Sequence, residues 1–178
     1  MKALVVVDVQ CDFIQPHGNL PIENSYHVVY WVNDHRREYD VVIFTKDFHP
    51  PNHCSFKENG GIWPAHCVFD SWGSNLLHTL HEGNIVVYKG SDSNFDSYSG
   101  FKDDGGKTTL LAQTLREKNF DEIDVVGVAT EYCVKFTVLD GLAEGFKVNV
   151  IKAGCAGLEE TGCELAFKEM EEAGAAIK

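Results

Sequence analysis

The chain has 178 residues, 44% of them hydrophobic and 24% charged, the balance of a soluble globular protein long enough to bury one core as a single domain over 1–178. Its formal net charge of -12 opposes phosphate backbones and anionic membrane surfaces, so neither a nucleic-acid nor a membrane partner is expected. No apolar stretch approaches the roughly 20 residues of a membrane helix, and the run Ala3 to Val7 is too short for a signal-peptide core. Six cysteines (Cys11, Cys54, Cys67, Cys133, Cys155 and Cys163) without a leader point to free thiols in a reducing cytoplasm.

In chain order, Val- and Ile-rich runs alternate with amphipathic segments. Strands are expected at Ala3–Val9, Val41–Thr45, Asn84–Lys89, Glu122–Val128, Lys147–Ile151 and Ala175–Lys178. The runs lack clean polar/apolar alternation, as in parallel strands covered on both faces. Helices are expected over Ile22–Tyr39, Thr108–Lys118, Thr130–Glu144 and Glu159–Ala173, with Gly145 and Gly174 at stop positions. This β/α alternation predicts an α/β, three-layer Rossmann-like fold with a central, mainly parallel six-stranded sheet flanked by helices.

Two long irregular stretches, Lys46–Leu76 and Gly90–Gly106, break the pattern, and loops of this length in a compact domain tend to carry function. The first holds Asp47, His49, His53 and His66 within twenty residues. Carboxylate oxygen and imidazole nitrogen suit zinc, iron or manganese. Asp47 and His49 share a side of an extended segment, and Pro50, Pro51 and Asn52 favour a turn that returns His53. A divalent metal site is the expectation, with zinc as the first guess. A Cys2His2 zinc site using Cys54 and Cys67 competes with it, but leaves Asp47 and His49 without a purpose.

In open parallel sheets, ligands bind beyond the carboxyl ends of the strands. Asp8, Asp47, Lys89 and Cys133 all fall at such ends. Singly, Asp8 reads as a turn acid, Lys89 as a solvated strand-end charge and Cys133 as a small core residue. Together they supply a thiol near a helix N-terminus, an ammonium that favours the thiolate, and a carboxylate to accept its proton. The turn after the first strand, Asp8 to Phe13, has no glycine-rich phosphate loop, which disfavours a dinucleotide-binding oxidoreductase.

Several segments match one family in family order. They are Val5-Val6-Val7-Asp8-Val9-Gln10-x-Asp12-Phe13, Thr45-Lys46-Asp47-x-His49, His53-x-Ser55-Phe56, Trp63-Pro64-x-His66-Cys67-Val68, Lys89-Gly90, Tyr98-Ser99-Gly100-Phe101 and Gly127-Val128-Ala129-Thr130-x-x-Cys133-Val134. On these residues the chain resembles the nicotinamidase/pyrazinamidase family of isochorismatase-like cysteine hydrolases. The resemblance implies hydrolysis of nicotinamide in NAD salvage through a cysteine thioester, with pyrazinamide as a further substrate. It also implies a triad of Asp8, Lys89 and Cys133 and metal ligands Asp47, His49, His53 and His66. An oxyanion hole from the N–H groups of Ala129 and Cys133 follows, with a non-proline cis peptide between Val128 and Ala129. Phe13, Trp63 and Tyr98 match substrate-binding positions, so the implied partner is a small aromatic amide. Cys11 and Glu131-Tyr132 depart from the commoner residues of the family. Alternatives are another amide or ureido hydrolase of the superfamily, or a non-catalytic zinc-binding module. Neither a monomer nor a homo-oligomer is favoured by sequence.

Overall fold

The computed structural model describes residues 1–80 and 85–178. Its strands are β1 (Ala3–Val7), β2 (Val41–Asp47), β3 (Ile85–Lys89), β4 (Glu122–Val128), β5 (Lys147–Ala156) and β6 (Ala176–Ile177). Its α-helices are α1 (Cys11–Ile14), α2 (Tyr26–His35), α3 (Leu111–Glu117), α4 (Lys135–Ala143) and α5 (Glu160–Glu172). The six strands form one sheet in the order β3-β2-β1-β4-β5-β6, with every neighbouring pair parallel.

All five residues of β1 are buried, which explains its unbroken apolar run. Ala3, Val5 and Val7 pack on the face covered by Leu111, Leu115, Val138, Phe167 and Met170 of α3, α4 and α5. Leu4 and Val6 pack on the opposite face against Val28, Val29 and Val32 of α2. A strand with helices on both sides has no solvent face to mark with polar residues. The result is the expected three-layer α/β architecture.

Element ends differ from expectation for local reasons. β1 stops at Val7 because Asp8 turns to φ +53, a left-handed conformation that ends extended pairing. β2 runs two residues further than expected, and Asp47 pairs with Lys89 across the β2/β3 register. Asn84 lies outside the described residues. The expected helix from Ile22 begins only at Tyr26, and a 3-10 turn over Arg36–Glu38 completes it. β5 continues to Ala156, with a break in register between Val125/Val150 and Gly127/Cys155. Gly127 lies at that break with φ +131, where a Cβ would come 2.2 Å from the Val7 carbonyl oxygen. Between β4 and α4 the chain winds one π-helical turn, Thr130–Val134.

Strand order reverses direction at β1/β4, and the crevice beyond the carboxyl ends of these two strands is the natural ligand site of such a sheet. Asp8 follows β1, and Ala129 and Cys133 follow β4. Asp47 and Lys89 close the next two strands.

Candidate active site

Asp8, Lys89 and Cys133, the three residues expected to act together, meet there. Lys89 Nζ lies 3.0 Å from Asp8 Oδ2 and 3.6 Å from Cys133 Sγ. It also donates to Asp47 Oδ1 at 2.5 Å and to the Ser97 carbonyl at 2.7 Å. Asp8 and Lys89 are 0% and 2% exposed. Single carboxylate oxygens of Asp8 and Asp47 and the Cys133 sulfur all lie within 4.8 Å of one another.

Asp8 is set by its neighbours in β2. Thr45 Oγ1 donates to Asp8 Oδ1 at 2.6 Å and accepts the Asp8 N–H at 3.2 Å. The second oxygen, Oδ2, is buried and makes no directed hydrogen bond; the nearby Lys89 holds it by charge. That leaves a lone pair for a proton. Burial pushes the Asp8 carboxyl above its ordinary range, with Lys89 acting against it and Asp47 adding to it. Burial likewise pushes the Cys133 thiol well up, opposed by Lys89. Burial works against the Lys89 ammonium, but Asp47 and Asp8 outweigh it and keep the lysine charged far above its usual range. The resting pattern is therefore a thiol beside a charged lysine and a carboxylate that holds its proton more tightly than usual.

The metal-ligand candidates divide. Ligand atoms of Asp47, His49 and His66 lie within 4.8 Å of one another and all three residues are buried. His49 Nδ1 is 2.8 Å from the Gly90 carbonyl and His66 Nδ1 is 2.7 Å from the Pro64 carbonyl. A carbonyl only accepts, so both Nδ1 atoms carry hydrogen and each neutral ring keeps its Nε2 lone pair. Such bonds fix tautomer and orientation in ligating histidines. Burial opposes ionisation of Asp47, but Lys89 and then His49 outweigh it and hold its carboxyl well below the usual range. Burial also opposes a charge on His49, yet Asp47, 3.5 Å from its Nε2, raises its proton affinity. The field that draws a proton to this nitrogen also draws a metal ion. A carboxylate and two imidazoles with free nitrogens fit a divalent metal.

His53 stands apart from this set. Its ring packs on His49 with centroids 4.0 Å apart. Its Nδ1 accepts the Ser55 N–H at 3.3 Å, and its Nε2 faces the Phe95 carbonyl at 3.2 Å. The second contact requires hydrogen on Nε2, so His53 turns no lone pair toward the group. Burial, reinforced by His49, pushes its pKa down to about 4. Cys54 and Cys67 join no cluster with these histidines among the described residues, which removes the geometry of the Cys2His2 alternative. Cys67 instead gives its N–H to Asp12 Oδ2 at 2.7 Å. This bond anchors the residue after His66, while Asp12 Oδ1 accepts the Asn19 N–H at 2.9 Å.

A pocket open to solvent is lined by Asp47, His49, His66 and Cys133, with Phe13, Trp63 and Tyr98 among its walls. Aromatic walls with a few convergent polar groups suit a small aromatic molecule. The Trp63 indole N–H donates to the Tyr98 hydroxyl at 2.8 Å, which occupies the polar edges of both rings. Ala129, the residue after the cis Val128–Ala129 peptide, lines the same pocket.

Other residues of the site had no readable signal. Gln10 is fully buried, and its amide donates to the carbonyls of Asp47 (2.8 Å) and Ser74 (2.9 Å) while accepting the Asp47 N–H at 2.8 Å. It clamps a metal-ligand candidate from the turn after β1. Tyr132 meets Trp63 edge to face, with centroids 5.0 Å apart. Thr45 and Gln10 lie inside segments quoted above, but their polar contacts arise only across strands.

A family described as the Isochorismatase domain matches residues 2–177. The chain belongs to the isochorismatase family. Among relatives in that family, the nicotinamidase of Escherichia coli K12 is 38% identical, over 99% of this chain and 93% of its own length. The crystal structure of the pyrazinamidase of Pyrococcus horikoshii in complex with zinc superposes with a TM-score of 0.90 at 35% identity, covering 99% of this chain and 98% of that one. PnC1 from L. infantum, solved in complex with nicotinate, gives a TM-score of 0.96 at 34% identity over 100% of this chain and 92% of its own. No helix among the described residues is long and apolar enough to cross a membrane.

Proposed function

We propose that residues 1–178 form one hydrolase domain that converts nicotinamide to nicotinic acid and ammonia in NAD salvage, and that takes pyrazinamide by the same route. The observation that carries this reading is the Lys89 ammonium between Asp8 Oδ2 and Cys133 Sγ, at 3.0 and 3.6 Å, beside an aromatic-walled pocket. Kinship with proteins named nicotinamidase supports the choice of substrate.

In this mechanism Asp8 takes the Cys133 proton on its free Oδ2 lone pair, and Lys89 stabilises the anions at both groups. The thiolate attacks the carboxamide carbon. The backbone N–H groups of Ala129 and Cys133 meet the charge that forms on the carbonyl oxygen, and one such donor is worth roughly 10²–10³ in rate. Asp8 returns the proton to the amide nitrogen, the C–N bond breaks and ammonia leaves. Asp8 then takes a proton from water as it attacks the thioester carbon, the C–S bond breaks as Asp8 passes that proton to the departing sulfur, and nicotinic acid and the free thiol result. The pyridine ring lies among Phe13, Trp63 and Tyr98.

Asp47, His49 and His66 would hold one divalent metal ion, with zinc first and iron(II) or manganese as alternatives. His53 would become a fourth ligand once its Nε2 gives up the Phe95 carbonyl. The ion would bind the pyridine nitrogen and orient the amide, a placement effect of up to about 7–11 kcal/mol in favourable cases. Six free thiols fit a reducing compartment such as the cytoplasm.

The test is ammonia release from nicotinamide by the metal-loaded protein, repeated with a chelator and with Cys133→Ala. Release that stops in both arms is expected, with metal still bound in Cys133→Ala. No release from the loaded wild type overturns the reading.

A further inference from the structure

Leu158 is the residue that the aromatic pocket shares with a second, solvent-open cavity. Two other chain segments pass directly from one lining to the next. Ile22 lines the first and Glu23 and Asn24 the second; Ala129 lines the first and Thr130 the second. The two spaces are thus neighbours along the same walls, and Leu158 stands between them.

Leu158 is 39% exposed, so burial alone does not fix it at the rim. Its backbone is fixed instead. Glu131, two residues before Cys133 in the π-helical turn, accepts the N–H groups of Leu158 at 2.8 Å and Glu159 at 3.1 Å on Oε1. Its other oxygen faces Cys163 Sγ at 3.7 Å. Gly157 permits this approach: a Cβ there would come 2.1 Å from Glu131 Oε2 and 2.3 Å from Cys163 Sγ. The nucleophile and the rim leucine are therefore set in register by one carboxylate.

We propose that Leu158, positioned by Glu131, limits the size of aromatic amide that reaches Cys133. Truncating it joins the two cavities and admits nicotinamides carrying a second ring. The inference rests on the reading of the pocket as an aromatic-amide site, and its experiment separates the two.

Wild type, Leu158→Ala, Glu131→Ala and Glu131→Gln are assayed on nicotinamide and on nicotinamides phenylated at ring positions 4, 5 or 6. In Leu158→Ala, kcat/KM for at least one phenyl compound relative to nicotinamide should rise about tenfold or more, the scale on which an apolar wall discriminates. Glu131→Ala should move the ratio in the same direction. Glu131→Gln, which keeps an acceptor for the Leu158 N–H, should restore it. Alkylation of Cys133 by iodoacetamide and by a bulky aryl maleimide, read on its own peptide by mass spectrometry, supplies a second measure that needs no substrate. The bulky-to-small rate ratio should rise in Leu158→Ala. A folded Leu158→Ala with that ratio unchanged overturns the gate. If the wild type releases no ammonia from nicotinamide, the functional reading fails and the alkylation ratio alone decides the gate.

Discussion

Lys89 donates to Asp47 at 2.5 Å, so the lysine beside Asp8 and Cys133 is bonded to the carboxylate that clusters with His49 and His66. The two groups share one buried cation. Lys89→Met would leave Asp8 and Asp47 buried without their counter-charge, a loss of about 3–5 kcal/mol when one partner of such a pair is removed. Urea denaturation at neutral pH should show that deficit. The deficit should shrink as pH falls, because protonated carboxylates no longer require the ammonium.

The pH profile should report Asp8. As the proposed base, Asp8 works as a carboxylate and is lost when protonated, so kcat/KM should rise with pH through its pKa. Burial raises that pKa, which places the acid limb above the ordinary carboxylate range. Thr45 donates to the ionised form and lowers it. In Thr45→Val, the acid limb should therefore move to higher pH, read from kcat/KM profiles of the two proteins. A shift to lower pH would remove Asp8 from the role of base.

Metal affinity should separate His66 from His53. His66 has its Nε2 free within the ligand group, whereas His53 is held by Ser55 and Phe95. His66→Ala should weaken zinc binding more than His53→Ala does, measured by competition with a chromogenic chelator. Equal losses would mean that His53 exchanges its carbonyl partner at little cost.

Gln10→Leu removes the clamp on Asp47 without touching a ligand atom. It strands the Asp47 N–H and the carbonyls of Asp47 and Ser74 in a buried place, and each unsatisfied group costs about 1–3 kcal/mol. Thermal unfolding of the metal-free protein should show the destabilisation. Calorimetric zinc titration should show weaker binding as well.

How far the sequence discloses this molecule depends on where each signal lies. The apolar β1 run of Ala, Leu and Val gives the buried strand, and the alternation gives the rim on which Asp8, Asp47, Lys89 and Cys133 meet. Those are properties of local pattern. Gln10 and Thr45 act across strands, and a polar residue near a strand end carries no mark of what lies beside it. The π-helical turn at Thr130–Val134 has the same apolar spacing as an α-helix start. The extension of β5 through Lys152, Ala153 and Gly154 has no β-forming composition, because its pairing follows from the register break opposite Gly127. His53 was legible as a histidine near others, but its tautomer depends on the Phe95 carbonyl more than forty residues away.

The Trp63–Tyr98 hydrogen bond joins the two irregular stretches that interrupt the β/α pattern. Beyond the β2 residues Lys46 and Asp47, neither stretch supplies a strand of the sheet, so the ladder can form without the contact between them. The aromatic wall therefore exists only once two pieces of chain on either side of β3 have docked on each other. Assembly of the protein and assembly of its binding wall are then separable in time: a refolding chain should recover its far-ultraviolet signal before it regains the capacity to hold an aromatic ring.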